Sequence, residues 1–162
     1  MNRFRFAARF AFALAALIGL TGRASAGEQV PLKGTFDAVS VQTPVPGGVH
    51  DEITGSGQAS HLGHFDLVVS ATVDLATRTG MGTFTLIAAN GDTLTATFTG
   101  ASSPTATPGV FLITENATIT GGTGRFAGAT GSFVSQRLFA PATHAVTGAF
   151  EGTVSSPGAN HR

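Results

Sequence analysis

The residue with the clearest potential for chemistry is Glu115, because its neighbours at a spacing of two are apolar. From Phe111 to Ile119 the odd-numbered residues are Phe111, Ile113, Glu115, Ala117 and Ile119. In a β-strand these side chains share one face, so the carboxylate would lie on an apolar surface. Burying a carboxylate is costly unless it is paired, and such a group in a cavity is a candidate for ligand binding or proton transfer. The alternatives are a β-bulge that turns Glu115 outward and a structural pair with an arginine.

Arg137 is the arginine that we consider as the partner of Glu115. It shares parity with Phe133 and Phe139, but Val134 and Leu138 make the opposite face of the segment equally apolar. Because arginine is rarely buried without a partner, we expect Arg137 to be exposed. The predicted ligand-binding residues combine the two charged groups with aromatic side chains: Glu115, Arg137, Phe84, Phe98, Phe111 and Phe133.

Other catalytic or metal-binding patterns are weak. His61 and His64 suggest a metal site, with His50, Asp51 and Glu52 nearby in sequence. Their opposite parity would direct the two imidazoles to different faces of a strand, and no motif places a third ligand. The glycine-rich segment is followed by an alternating segment rather than a helix, which argues against a phosphate-binding loop. A Gly-x-Ser-x-Gly motif does not occur. We therefore predict neither a metal nor a cofactor.

The elements that would position these residues are β-strands. Alternation with a period of two recurs after residue 26, most clearly over Thr93–Gly100, where threonines alternate with apolar residues or glycine. Asn90 and Gly91, before Asp92, form a strong hairpin signal, because both turn positions tolerate positive φ. The Pro- and Gly-rich segments Thr43–Gly48 and Gly100–Gly109 are predicted to be loops. Strands are predicted near 32–41, 53–61, 64–73, 81–89, 93–99, 110–120, 129–139 and 144–154.

This strand pattern predicts an all-β fold with eight antiparallel strands. A closed barrel is favoured over a sandwich, since closure removes sheet edges that this weakly charged, Thr-rich chain would otherwise expose. The Thr-rich outer faces fit ordinary solvent-facing strands, although adhesion to a polysaccharide through Thr95 and Thr97 is an alternative.

The segment Ile119–Gly131 contains five glycines and one phenylalanine. Glycine adopts positive φ and allows two backbones to approach closely, so this density indicates a turn or a barrel corner. The residues predicted to have a structural role in turns are Gly121, Gly122, Gly124, Gly128 and Gly131, together with Asn90 and Gly91 of the hairpin.

The same segment resembles the glycine-rich hairpin of the barrel shared by allene oxide cyclases and dirigent proteins. Gly121–Phe126, followed by Gly128 and Gly131, satisfies the spacing of allene oxide cyclases. Dirigent proteins have Ala-Arg-Gly where this chain has Ala129-Thr130-Gly131, so the family's arginine is missing and dirigent chemistry is disfavoured. The segment Ala89–Leu94 resembles a hairpin of exported bacterial proteins with this barrel. The resemblance implies an eight-stranded barrel with an apolar lumen, often assembled as a trimer.

The first 26 residues have the features of a cleaved signal peptide. Arg3, Arg5 and Arg9 precede an apolar run, and Ala24–Ala26 supplies a small-x-small cleavage pattern. The apolar run is too short for a membrane span, so no stable membrane insertion is expected after cleavage. We predict an exported protein, periplasmic or secreted, with one barrel domain at 27–154 and a flexible tail at 155–162.

Composition then limits the partners of the mature chain. Loss of the leader and its four arginines leaves five Lys and Arg against nine Asp and Glu, a net charge near −4 that disfavours nucleic acid as a partner. There is no cysteine, so the core alone must stabilise the fold.

The leading functional prediction is a barrel that binds a small apolar ligand in its lumen or serves as a structural module. The alternative is an isomerase or cyclase acting on an apolar, oxylipin-like or phenolic-like substrate, with Glu115 handling a proton.

Overall fold

The computed structural model describes residues 28–155. The predicted signal peptide and the predicted tail, apart from Ser155, lie outside this range. All eight predicted strands are present, and their bounds are β1 Val30–Val45, β2 Gly48–Ala59, β3 Gly63–Asp74, β4 Thr79–Ala88, β5 Thr93–Pro104, β6 Phe111–Gly122, β7 Thr130–Ala140 and β8 Ala145–Ser155.

The strands form a closed barrel in simple sequential order. Each strand is antiparallel to the next, and β1 also pairs with β8, from Val30 opposite Val154 to Val39 opposite Ala145. Closure leaves no strand with an unpaired edge among these eight. The predicted eight-stranded antiparallel barrel is therefore confirmed.

Side chains alternate between the lumen and the outside, as a period of two requires. In β5, Leu94, Ala96 and Phe98 are buried, and in β4 Phe84 and Leu86 are buried. Asn90 and Gly91 form the turn between β4 and β5 as predicted, with Gly91 at φ 86°.

The two Pro- and Gly-rich segments were wrongly predicted to be entirely loops. β1 continues through Pro44, which lies opposite Val49, and β5 continues through Pro104, which lies opposite Phe111. A proline at the last positions of a strand keeps extended backbone and removes only its own N–H from the ladder. These strands therefore extend further at this end of the barrel than the residue types suggested.

The barrel has two different ends. The turns after β1, β3, β5 and β7 surround the open end, where the cavity described below lies. The turns after β2, β4 and β6 surround the plugged end. There the segment 123–129, between β6 and β7, contains a 3₁₀ turn, Gly124–Phe126, and the side chains of Phe126, Leu62 and Ala129 are buried. We call residues 123–129 the plug.

The glycine-rich segment is thus more than a tight hairpin turn. Gly121 and Gly122 belong to the end of β6, and Gly131 belongs to β7. A register irregularity opposite Thr95 accompanies this end of β6. Within the plug, Gly124 and Gly128 have φ of 56° and 71°, values that favour glycine.

Phenylalanines fill the middle of the lumen. Phe84 contacts Phe98 and Phe133, with ring centroids 4.7 and 5.5 Å apart, and Phe133 contacts Phe150 at 5.3 Å. Phe65 also packs against Phe150, at 5.9 Å. This aromatic layer separates the plugged end from the open end.

Within residues 28–155, no helix has the length and apolar character needed to cross a membrane.

Candidate functional site

A cavity of about 300 Å³ occupies the open end of the barrel. It reaches solvent beside Leu75 and Arg78, which are exposed, and it extends inward to buried side chains. Its apolar wall comes from β3, β5, β6 and β7 and includes Ala71, Val73, Phe98, Phe111, Ile113 and Phe139.

Three buried charged residues line this cavity. Asp51, Glu115 and Arg137 are 2%, 1% and 4% exposed. Glu115 faces the lumen, as the alternation in β6 predicted, and no bulge turns it outward. Charged side chains this deeply buried require partners, so their contacts decide what the site can do.

Arg137 pairs with Glu115 across β6 and β7. Its Nε and Nη2 donate to the same carboxylate oxygen, Oε1 of Glu115, at 3.1 and 2.9 Å. The expectation that Arg137 would be exposed is wrong, because β7 directs residues 133, 135, 137 and 139 into the lumen. Val134 and Leu138 lie on the outside and are 43% and 42% exposed. The structural pair with an arginine, left open by the sequence, is the arrangement found.

The pair leaves polar atoms without partners. Oε2 of Glu115 and Nη1 of Arg137 are buried, and neither atom makes a hydrogen bond within the described chain. The same holds for Oγ of Ser135. Ser135 lies directly opposite Glu115 in the ladder. Buried polar groups are normally hydrogen-bonded, so a donor and an acceptor left open in a cavity wall indicate a site for a polar group of a ligand or for water.

Asp51 places a second carboxylate in the same cavity. The hydroxyl of Ser40, on β1, donates to Oδ1 of Asp51 at 2.5 Å, and both side chains are almost fully buried. No lysine, arginine or histidine nitrogen of the described residues lies within 4.0 Å of the Asp51 carboxylate. The Asp51 carboxyl group therefore has a hydrogen-bond donor but no close cation among the described residues.

Glycines make room for the buried pair. A Cβ on Gly100 would lie 2.8 Å from Cγ of Glu115, and a Cβ on Gly148 would lie 2.8 Å from Cβ of Arg137. Both distances are shorter than side chains tolerate, so larger residues at these two positions would displace the ion pair. The positions of the two charged side chains thus depend on glycines in the adjacent strands.

The predicted aromatic residues divide into two groups. Phe98 and Phe111 line the cavity, whereas Phe84 and Phe133 are not among its lining residues. Phe84 and Phe133 lie behind this wall in the aromatic layer, where Phe84 packs against the cavity-lining Phe98.

The structure separates His61 and His64, the two histidines considered for a metal site. His61 is in the turn between β2 and β3, and His64 in β3 lies 3.2 Å from the amide of Gln58. Among residues 28–155, no three His, Asp or Glu side chains are grouped so that they could hold a metal ion.

Ser40 and Asp51 were not among the site residues predicted from the sequence. Asp51 was considered only as a possible metal ligand, because strand β2 was predicted to begin at residue 53. Extending the alternation back from the buried Ile53 by two residues would have placed Asp51 in the lumen. Arg78 was missed as a lining residue because it lies in the turn between β3 and β4, whereas Phe139 was missed although it lay within a predicted strand and shared parity with Phe133.

Comparison with known proteins identifies the fold. The structure is similar to that of a pterocarpan synthase dirigent protein, with a TM-score of 0.58 and 16% sequence identity, over 84% of this chain and 90% of the other. No protein-family profile matches the chain, and no curated protein matches it significantly. The likeness establishes a dirigent-like eight-stranded barrel and, at this identity, the fold alone.

Proposed function

We propose that this protein is a binding barrel that takes up one small, mainly apolar molecule through its open end. The observation that carries this proposal is the combination of a cavity of about 300 Å³ with an apolar wall and unpartnered polar atoms on Glu115 and Arg137. Ligand sites in proteins are typically concave and apolar, with a few polar groups that fix orientation.

Whether side chains fill the lumen or leave a cavity distinguishes a purely structural role from a binding function. An eight-stranded barrel is at the size limit where side chains can fill the whole interior. Here the aromatic layer fills the middle, while the open end retains a cavity beside buried charges. Oε2 of Glu115 and Nη1 of Arg137 have no hydrogen-bond partner within the described chain, and both belong to residues that line the cavity, which supports the binding function.

The binding test uses the uncharged fluorescent probe N-phenyl-1-naphthylamine. The chain has no tryptophan or tyrosine, so the probe is observed against little protein fluorescence. We expect its emission to increase on binding to the wild-type protein. Ala71→Leu adds bulk inside the cavity and should reduce probe affinity about fivefold or more, since overpacking costs about 1–3 kcal/mol.

The matched control is Ala145→Leu, the same substitution at an exposed position of β8. Its probe affinity should equal that of the wild type. Equal loss of probe affinity in both variants would rule out the cavity as the binding site.

A second candidate function is an isomerase or cyclase, favoured by one observation. Oε2 of Glu115 has no partner in the described chain and belongs to a cavity-lining residue, the arrangement that a proton-transferring carboxylate needs. The structural neighbour's name shows that a dirigent protein can be a synthase. In an enzyme, Glu115→Gln should abolish turnover of an apolar substrate while leaving probe binding nearly unchanged. Retention of turnover would exclude Glu115 as the proton-transferring group.

A further inference from the structure

The buried groups of the cavity carry an uneven charge. Asp51 and Glu115 are two carboxylates, and Arg137 is the one buried guanidinium among the described residues that line the cavity. The hydroxyl bound to Asp51 stabilises the carboxylate but carries no charge. The Asp51 carboxyl group is therefore left without a buried cationic partner among the described residues.

Arg137 does not supply this missing counterion. Two of its nitrogens are bonded to Oε1 of Glu115, and no ion-pair contact joins it to Asp51 within 4.0 Å. Arg78 also lines the cavity, but it is exposed at the mouth. Water and salt screen an exposed charge strongly, so Arg78 balances a buried carboxylate poorly.

On the basis of the proposed binding function, we infer that the ligand is a cation, an apolar body carrying a protonated amine. An ammonium group has three donors and no acceptor, which suits carboxylate oxygens of Asp51 and the open Oε2 of Glu115. A carboxylate ligand would add a second unbalanced negative charge in a site of low dielectric constant. A neutral hydroxyl would satisfy hydrogen bonds but leave the charge uneven.

The wall of the cavity fits the same class of ligand. Its apolar side chains include three aromatic rings, those of Phe98, Phe111 and Phe139. Aromatic faces attract cations, and they also pack well against a planar apolar body. The ligand class is thus an arylalkylamine or a similar amphiphilic amine.

Three indoles of matched shape test the charge. Tryptamine is a cation at pH 7, tryptophol is neutral and indole-3-acetate is an anion, and all three fluoresce while the protein lacks tryptophan and tyrosine. Fluorescence anisotropy measures their affinities. We expect tryptamine to bind about tenfold more tightly than tryptophol, because hydrogen bonds between charged groups are stronger than neutral ones. Indole-3-acetate should bind most weakly.

Asp51→Asn tests whether the Asp51 carboxyl group binds the ammonium group of the ligand. This variant should lose the preference for tryptamine over tryptophol, so that its affinities for the two ligands become similar. Asp66→Asn, which removes a carboxylate from the exposed face of β3, is the control and should keep the preference. Should Asp51→Asn fail to fold, the ratio of tryptamine to tryptophol affinity in the wild-type protein decides alone.

The outcomes separate this inference from the binding function. Equal affinity for tryptamine and tryptophol, with both weakened by Ala71→Leu, would overturn the cationic ligand and leave the binding barrel intact. Binding of N-phenyl-1-naphthylamine without binding of any indole would also overturn the cationic ligand alone. Failure of all four probes to bind would overturn both.

Discussion

Arg137 and Glu115 explain each other's burial. A guanidinium or a carboxylate alone in the lumen would cost several kcal/mol of desolvation, and each offsets part of that cost for the other. Two donors meeting one oxygen leave Oε2 and Nη1 open, so the pair is less completely bonded than a structural ion pair requires. This incomplete bonding is the residue-scale basis of the proposed site.

Arg137→Met should destabilise the protein strongly. Removing the cation leaves Glu115 as an uncompensated buried charge, for which about 3–5 kcal/mol of unfolding free energy is expected to be lost. Urea unfolding followed by circular dichroism measures the loss. Arg78→Met, at the exposed rim, is the control and should change stability by less than about 0.5 kcal/mol. The double variant Glu115→Leu with Arg137→Met should recover most of the loss, and no recovery would contradict this account.

At the scale of elements, the plug is bonded to the turn between β4 and β5. Asp92 accepts hydrogen bonds from the side chain of Asn90 and from the backbone N–H of Arg125. The backbone N–H of Thr93 donates to Oγ1 of Thr123, and the N–H of Thr123 donates to the carbonyl of Thr93. Two segments that the sequence indicated separately as turns therefore close the plugged end together.

Gly124→Ala should destabilise the plug. Gly124 has φ of 56°, and a Cβ there would lie 1.8 Å from Oδ1 of Asp92, so the substitution adds a clash to backbone strain. We expect a loss of about 2–4 kcal/mol in unfolding free energy, measured by urea denaturation. Gly109→Ala isolates the strain, because Gly109 also has positive φ but open space around it. Its expected loss is about 1 kcal/mol, and an equal loss in both variants would contradict the clash.

Asp92 should make stability depend on acid pH. The side-chain amide of Asn90, followed by the backbone N–H and the charge of Arg125, lowers the pKa of Asp92 from its usual value. A lowered pKa in the folded state adds stability that is fully present above the unfolded pKa and is lost as the pH falls through the folded pKa. Asp92→Asn should therefore be less stable than the wild type at pH 7.

The difference in stability between Asp92→Asn and the wild type should shrink below the ordinary aspartate pKa. Urea unfolding at a series of pH values from neutral to strongly acidic measures it. Asp66→Asn controls for the loss of an exposed carboxylate. A gap that stays constant down to strongly acidic pH would contradict the role of the Asp92 charge.

At the scale of the whole molecule, closure brings the ends of the barrel chain together. Val30 of β1 lies opposite Val154 of β8 in the ladder. Every two strands that are consecutive in sequence are joined by a short connection, and the cavity draws its wall from strands far apart in sequence. The barrel should therefore tolerate a different order of strands along the chain, provided that all eight ladders form.

A circular permutant should fold and keep the cavity. Joining Ser155 to Glu28 through a short glycine- and serine-rich linker, and opening the chain at Gly109 in the loop between β5 and β6, preserves every ladder. Far-UV circular dichroism and binding of N-phenyl-1-naphthylamine should match the wild type. Opening at Arg125 instead breaks the plug and should reduce stability, so equal behaviour of the two permutants would contradict the role assigned to the plug.

Much of this architecture follows from the sequence, because a period of two is a local property. The alternation over Thr93–Gly100 predicted both the strand and its buried face, and the Asn90-Gly91 pair predicted the hairpin. Closure was favoured by the need to protect strand edges. The alternation over Phe111–Ile119 also predicted that Glu115 lies on the luminal face of its strand, where it is buried.

Only the tertiary structure decided which charged groups meet. The two faces of β7 are equally apolar in sequence, so Arg137 had no locally preferred direction, and its pairing with Glu115 depends on the register between β6 and β7. Asp51 entered the lumen because β1 and β2 extend together beyond their predicted ends. Register and strand length are set by contacts between segments distant in the chain, so a local pattern predicts the strands but not the meeting of Asp51, Glu115 and Arg137 in one cavity.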